Sequence, residues 1–178
     1  MKTTVVCIAG RLALHHFGES MKLILASLLL ALSGGVAIGE TALGRSQGQT
    51  LYLPIYSHIW HGDMSADGQL AKTLLSVSVS IRNTDPQKGI RVTSAQYYDT
   101  DGKKLKEYLT TPKTIGPMGT HELFVSRGDD TGGSGANFLI SWKSDSPTSA
   151  PIVEGIHANL PVGRAIVFTT SARTLPND

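Results

Sequence analysis

From about residue 49 onward the chain reads as an all-β domain, a single antiparallel β-sandwich of the immunoglobulin or fibronectin type, with a barrel as second choice. Apolar and polar residues alternate at period two, the spacing that sends successive side chains to opposite faces of a strand. Gly, Pro, Asn and Asp clusters separate the alternating runs at short intervals. No long stretch of this region carries helical periodicity.

The first element is an export segment. Met21-Lys22 followed by Leu23-Ile24-Leu25-Ala26-Ser27-Leu28-Leu29-Leu30-Ala31-Leu32 gives a short positive start and an apolar run, and Ser33-Gly34-Gly35 breaks it. Ala37 and Gly39 place small residues for a cut before Glu40, and Ala42 and Gly44 for a second before Arg45. An uncleaved anchor is the alternative, but residues 23–39 are at the short edge of what spans about 30 Å of hydrocarbon. The preceding residues are too polar and too long for such a start, so 1–20 is read as an upstream extension from a mis-assigned first codon. The expected organisation is therefore extension 1–20, signal peptide 21–39, flexible lead-in 40–48 and β-sandwich domain 49–178.

Strands are expected at 51–57, 75–82, 90–98, 105–109, 121–126, 138–143, 152–158 and 165–170. The clearest sends Leu75, Val77, Val79 and Ile81 to one face and Ser76, Ser78, Ser80 and Arg82 to the other. Asn83-Thr84-Asp85-Pro86 ends it as a turn. Asp101-Gly102 marks a hairpin between Tyr97-Tyr98 and Leu105. Adjacent Tyr97 and Tyr98 must face opposite ways, and Trp142, in phase with Phe138 and Ile140, belongs to the core.

Charge narrows the function classes. Of 16 Lys and Arg, Lys2, Arg11 and Lys22 precede Glu40, as does Glu19 among 14 Asp and Glu, which leaves 13 of each sign. A neutral domain lacks the basic field that phosphate backbones select, so nucleic acid is not expected as a partner. The one cysteine, Cys7, lies upstream of the export segment, so a mature domain has no disulfide, catalytic thiol or thiolate metal site.

Three segments carry a resemblance: Leu53-Pro54-Ile55-Tyr56-Ser57-His58-Ile59-Trp60-His61-Gly62; Ile81-Arg82-Asn83-Thr84-Asp85-Pro86 with Tyr97-Tyr98-Asp99-Thr100-Asp101-Gly102-Lys103; and Gly132-Gly133-Ser134-Gly135-Ala136-Asn137-Phe138. Together, from Leu51 to about Phe168, the chain resembles a bacterial family catalogued as domain of unknown function 3124. The resemblance implies a small exported bacterial domain with no established activity, and it supplies no catalytic residues.

Two constellations could carry chemistry. His58, His61 and Asp63 supply donors a transition metal accepts, as in a metal-binding protein or metal-dependent hydrolase. In a straight strand 58 and 61 face opposite ways, so they converge only if Trp60 to Gly62 bends the chain; the plainer account makes them turn residues around Trp60. In the glycine-rich loop, Asp129, Asp130, Ser134 and Asn137 offer oxygens that a hard cation or polar ligand could use, or that could cap the loop's own backbone. Gly132, Gly133 and Gly135 are expected in conformations closed to other residues. The aromatics Tyr56 and Trp60 could line a ligand groove.

No Gly-x-Ser-x-Gly elbow or Gly-Lys-Ser/Thr loop occurs, so an enzyme is not expected and no cofactor is implied. The expectation is a non-catalytic binding or adaptor module of the bacterial envelope, periplasmic or secreted. Its partner would be an envelope protein or a small ligand, with membrane contact only through an uncleaved segment.

Overall fold

The computed structural model describes residues 44–176, and every regular element among them is a strand. The expected extension, signal peptide and first part of the lead-in lie outside the described residues. In chain order the strands are β1 (Arg45–Pro54), β2 (His58–His61), β3 (Ala71–Leu74), β4 (Ser76–Arg82), β5 (Ile90–Tyr98) and β6 (Lys104–Glu107). Then come β7 (Lys113–Ile115), β8 (Thr120–Val125), β9 (Asn137–Ser149), β10 (Ile152–Asn159), β11 (Ile166–Ser171) and β12 (Arg173–Thr174).

All pairings are antiparallel. One sheet runs β12-β1-β9-β5-β6 with β7 also on β5; a second runs β11-β10-β4-β8; β2 and β3 form a separate hairpin. The inward faces of the two larger sheets meet in one apolar cluster. Leu51, Leu53, Val92, Tyr97, Phe138, Ile140 and Trp142 come from the first, and Val77, Val79, Ile81, Leu123, Val125 and Val153 from the second. The alternation of β4 holds except at one position: Leu75, Val77, Val79 and Ile81 are fully buried and Ser76, Ser78 and Arg82 reach solvent, but Ser80, expected on the wet face, is buried.

The strands exceed the expected set for identifiable reasons. Residues 45–48, read from sequence as the end of a flexible lead-in, are strand because β9 runs past Lys143 to Ser149 and pairs with them. A bulge between Ser46 and Gly48 joins the two halves of that pairing, and a Cβ on Gly48 would come within 2.8 Å of the Trp142 carbonyl oxygen. The bulge also tolerates Pro147, which could not donate to a regular ladder. The expected strand 51–57 divides after Pro54, and its continuation leaves the sheet as β2.

A second bulge, between Val92 and Ser94 of β5, resets the alternation. Ile90 and Val92 face inward before it, Ala95 and Tyr97 after it, because one extra residue exchanges the two faces. Glu107 caps this irregularity: its Oε1 accepts the Ala95 N–H at 2.7 Å and its Oε2 accepts the Ser94 hydroxyl at 2.8 Å.

A polar knot joins the sheets where β4 ends. Asn83 Nδ2 donates to the carbonyls of Lys88 (2.7 Å), Gly116 (2.8 Å) and Ile115 (3.3 Å), and its Oδ1 accepts the Asp85 N–H at 3.1 Å. Asp85 Oδ1 accepts the N–H groups of Gln87 and Lys88, both at 2.9 Å. Its Oδ2 accepts the Thr148 hydroxyl at 2.7 Å and the Ser149 N–H at 3.3 Å.

Val79→Asp should destabilise the fold by about 3 kcal/mol or more, since it places an unpaired carboxylate in the shared core. Ser78→Asp on the outer face should shift the melting temperature far less. Equal melting temperatures for the two variants would contradict the facing described here.

Candidate functional site

The sequence places its candidate residues at one end of the domain, around the loop between β8 and β9, and their environments follow from how that loop is held. Its backbone is stitched to three neighbours. Thr100, in the turn after β5, donates its N–H (2.9 Å) and hydroxyl (3.1 Å) to the Gly132 carbonyl and accepts the Gly135 N–H at 3.0 Å. Ser57 donates its N–H (3.1 Å) and hydroxyl (3.0 Å) to the Gly133 carbonyl. The Ile55 N–H donates to the Ala136 carbonyl at 2.8 Å.

Of the three glycines, Gly133 alone takes the expected conformation closed to other residues; Gly132 and Gly135 have ordinary φ and are restricted only by their neighbours. Gly133 has φ +78° and lies against the Thr100 hydroxyl. Gly132 is closed by lack of space, since a Cβ there would reach the Tyr97 phenol and come within 2.8 Å of the Ala136 Cβ, whereas one on Gly135 would fit tightly, 3.0 Å from Thr100 Cγ2.

The loop's polar side chains do not share one site, and Asp129 takes the self-capping role. Asp129 Oδ1 accepts the N–H (3.3 Å) and hydroxyl (2.6 Å) of Thr131, so it caps its own loop. Asp130 turns to Lys72 of β3, with Oδ2 at 3.0 Å from Nζ, and the ammonium holds its carboxyl below the usual range. Asn137 opens β9 opposite Pro54 and Tyr98. Among the described residues the Ser134 side chain makes no hydrogen bond that would join it to these carboxylates.

His58, His61 and Asp63 also stay apart, which corrects the metal-site expectation. The chain does not bend at Trp60; β2 is a regular strand paired with β3, so His58 and His61 face opposite ways. His58 is buried, edge-on to Trp60 at 4.9 Å, with Nδ1 3.2 Å from the Ser57 hydroxyl. Its pKa is lowered by burial and by Lys72, against a smaller opposing effect of Asp130. His61 Nε2 lies 2.8 Å from the Thr73 hydroxyl, and Asp63 is exposed beyond the turn. Among the described residues no three His, Cys, Asp or Glu side chains come together to hold a metal.

Tyr56 and Trp60, the expected groove aromatics, have separate surroundings. Tyr56 packs edge-on to His157 and Phe168, at 5.7 and 5.8 Å. The fully buried His157 stacks on Phe168 at 4.5 Å and 4°, and its Nε2 accepts the Tyr56 N–H at 3.1 Å, which leaves the ring proton on Nδ1. Burial pushes the His157 pKa down to about 4. Trp60, 49 % exposed, stands on the β2-β3 hairpin with Met64 and Leu70.

A surface feature escaped the sequence reading. Phe124 (61 % exposed), Ile152, Ile156 and Val167 (57 %) project from the outer face of the β11-β10-β4-β8 sheet. Register places Phe124, Ser78, Ile156 and Thr169 in one row across all four strands. Among the described residues the outer face of the other large sheet carries no exposed large apolar residue. The signal was present in Leu123-Phe124-Val125 and Ile166-Val167-Phe168, where consecutive apolar residues must place one on the wet face.

Comparison with known proteins adds a family and a distant structural neighbour. Residues 48–175 match the family described as protein of unknown function (DUF3124). No curated protein matches the chain. A solved structure entitled "Crystal Structure of Thermotoga maritima 1070" is similar at 13% identity and a TM-score of 0.40, over 70% of this chain and 92% of that one.

Two measurements check the site as described. Gly133→Ala should lower the melting temperature, because alanine strains at positive φ and meets Thr100; a flexible tether would be stabilised by the same change. Stability should also fall as pH drops from 6.5 towards 4. His157 is neutral when folded, so its contribution is complete above its unfolded pKa of 6.5 and is lost as pH approaches its folded value of about 4. The loss is on the order of 3 kcal/mol. His58 and His121, also lowered by burial, act in the same direction. His157→Gln, which keeps an acceptor for Tyr56, should flatten the melting curve against pH; an unchanged slope would contradict this.

Proposed function

The chain belongs to the DUF3124 family of proteins of unknown function, and from that premise we propose that it is a non-catalytic binding module of the bacterial envelope, built as an immunoglobulin-like two-sheet sandwich. The observation that carries this reading is the one-sided distribution of exposed apolar surface. Phe124 and Ile156 stand on either side of Ser78, and the small serines of β4 leave a shallow trough between them. Contiguous apolar surface rimmed by polar groups is what protein interfaces present, and Glu122, Glu154 and Arg82 supply such a rim here. Export is supported by the apolar run after Met21, and a partner in the envelope follows from it.

The test is retention of a defined envelope protein by immobilised wild type and its loss in a Phe124→Ser, Ile156→Ser double variant. Both side chains lie outside the core, so the variant should keep its melting temperature within a few degrees while losing at least about tenfold in affinity. Equal retention by the double variant would remove this face from the argument, and purification of the protein from the cytosolic fraction would remove the envelope assignment.

A further inference from the structure

Among the described residues the four-stranded sheet has two open edges, β8 and β11, and they are built differently. In an antiparallel ladder the backbone groups of successive residues point alternately to the neighbour and away from it. The Ala172 N–H donates to the Val153 carbonyl at 2.9 Å, which sets the phase at the β10-β11 pairing. Ile166, Phe168 and Thr170 therefore bond to β10, and Val167, Thr169 and Ser171 present their N–H and C=O groups at the open side. On β8, the Asn83 N–H donating to the Gly119 carbonyl at 2.9 Å fixes the phase in the same way, and Thr120, Glu122 and Phe124 face outward.

An open edge recruits other strands unless charge, proline or a bulge guards it. β8 is guarded: its middle outward residue is Glu122, and a two-fold pairing of β8 with itself would set two carboxylates opposite each other. β11 has no such guard. Its sequence, Ile166-Val167-Phe168-Thr169-Thr170-Ser171, has no charge and no proline, and four of its six residues are β-branched.

We propose that β11 pairs antiparallel with β11 of a second copy of this chain, about a two-fold axis at Thr169, joining two four-stranded sheets into one of eight strands. In that register Thr169 faces Thr169 of the partner subunit and Val167 faces Ser171 of the partner subunit, pairs that are compatible across strands and free of like charge. The contact is isologous and closes at two copies, because among the described residues this sheet offers β11 as its one unguarded edge and the opposite edge, β8, repels itself. It is distinguishable from the binding reading above, because Phe124 and Ile156 lie off the seam, although Val167 and Thr169 border both surfaces.

Sedimentation velocity of the purified protein at tens of micromolar tests this. Wild type and the β8-edge control Thr120→Lys should sediment as dimers. Thr169→Lys, which places like charges on the two-fold axis, should sediment as a monomer with an unchanged circular dichroism spectrum. Amide hydrogen exchange on wild type gives a second reading that needs no variant: the Val167, Thr169 and Ser171 amides should exchange as slowly as those of Phe168 and Thr170, whereas an open edge would exchange about a hundredfold faster. A monomeric wild type overturns the proposal. So does a dimer that survives Thr169→Lys, or fast exchange at those three amides within a dimer, either of which would assign the contact to another surface.

Discussion

Asp85 lies almost wholly buried, and every group that reaches its carboxylate is a donor: two backbone N–H groups from the turn that follows it, the Thr148 hydroxyl and the Ser149 N–H. An ionised carboxylate is the only acidic form that accepts all four, so the arrangement requires the charge, and the Thr148 hydroxyl first and the backbone donors with it hold the carboxyl well below its usual range. Asn83 completes the corner by donating to carbonyls on both sides of it. β4 of one large sheet thereby becomes fixed to β5, β7 and β9 of the other. Apolar burial holds the two sheets together, but it is non-directional; this knot supplies direction, specifying where one sheet ends against the next.

The glycine-rich loop performs the corresponding closure at the other end. Thr100 and Ser57 each satisfy a loop carbonyl twice, and Gly132 allows the backbone to approach where a Cβ could not fit. The segments that make the chain recognisable are therefore largely occupied with closing the fold. Asn83 and Asp85 tie the sheets, Thr100 anchors the loop, and Gly133 turns it. The surface with the character of an interface lies elsewhere, on the outer face that Phe124 and Ile156 share.

What could be read from sequence was local. The faces of β4 followed from strict alternation, the burial of Trp142 from its phase with Ile140, and the Asp101-Gly102 turn from the glycine's freedom, which the structure uses at φ +80°. What escaped depended on partners distant in sequence. Nothing in Val92-Thr93-Ser94-Ala95 marks an extra residue, because a bulge is defined by the strand opposite. The extension of β9 to Ser149 depends on residues 45–48 being there to receive it. The spacing of His58 and His61 suggested a ligand pair, and pairing with β3 straightened the segment and separated them. Nothing in the sequence around His157 marks its burial between Tyr56 and Phe168, because the β10-β11 pairing and the segment linking β1 to β2 bring those rings together.

The two tryptophans occupy opposite environments: Trp142 in the shared core, and Trp60 half in solvent on a hairpin that forms a sheet of its own. Each ring thus reports a different event in fluorescence. A soluble quencher reaches Trp60 in the native state and Trp142 only when the core opens. A shift of Trp60 emission with Trp142 still shielded would register detachment of the β2-β3 hairpin, so local loosening and global unfolding can be separated optically without any added label.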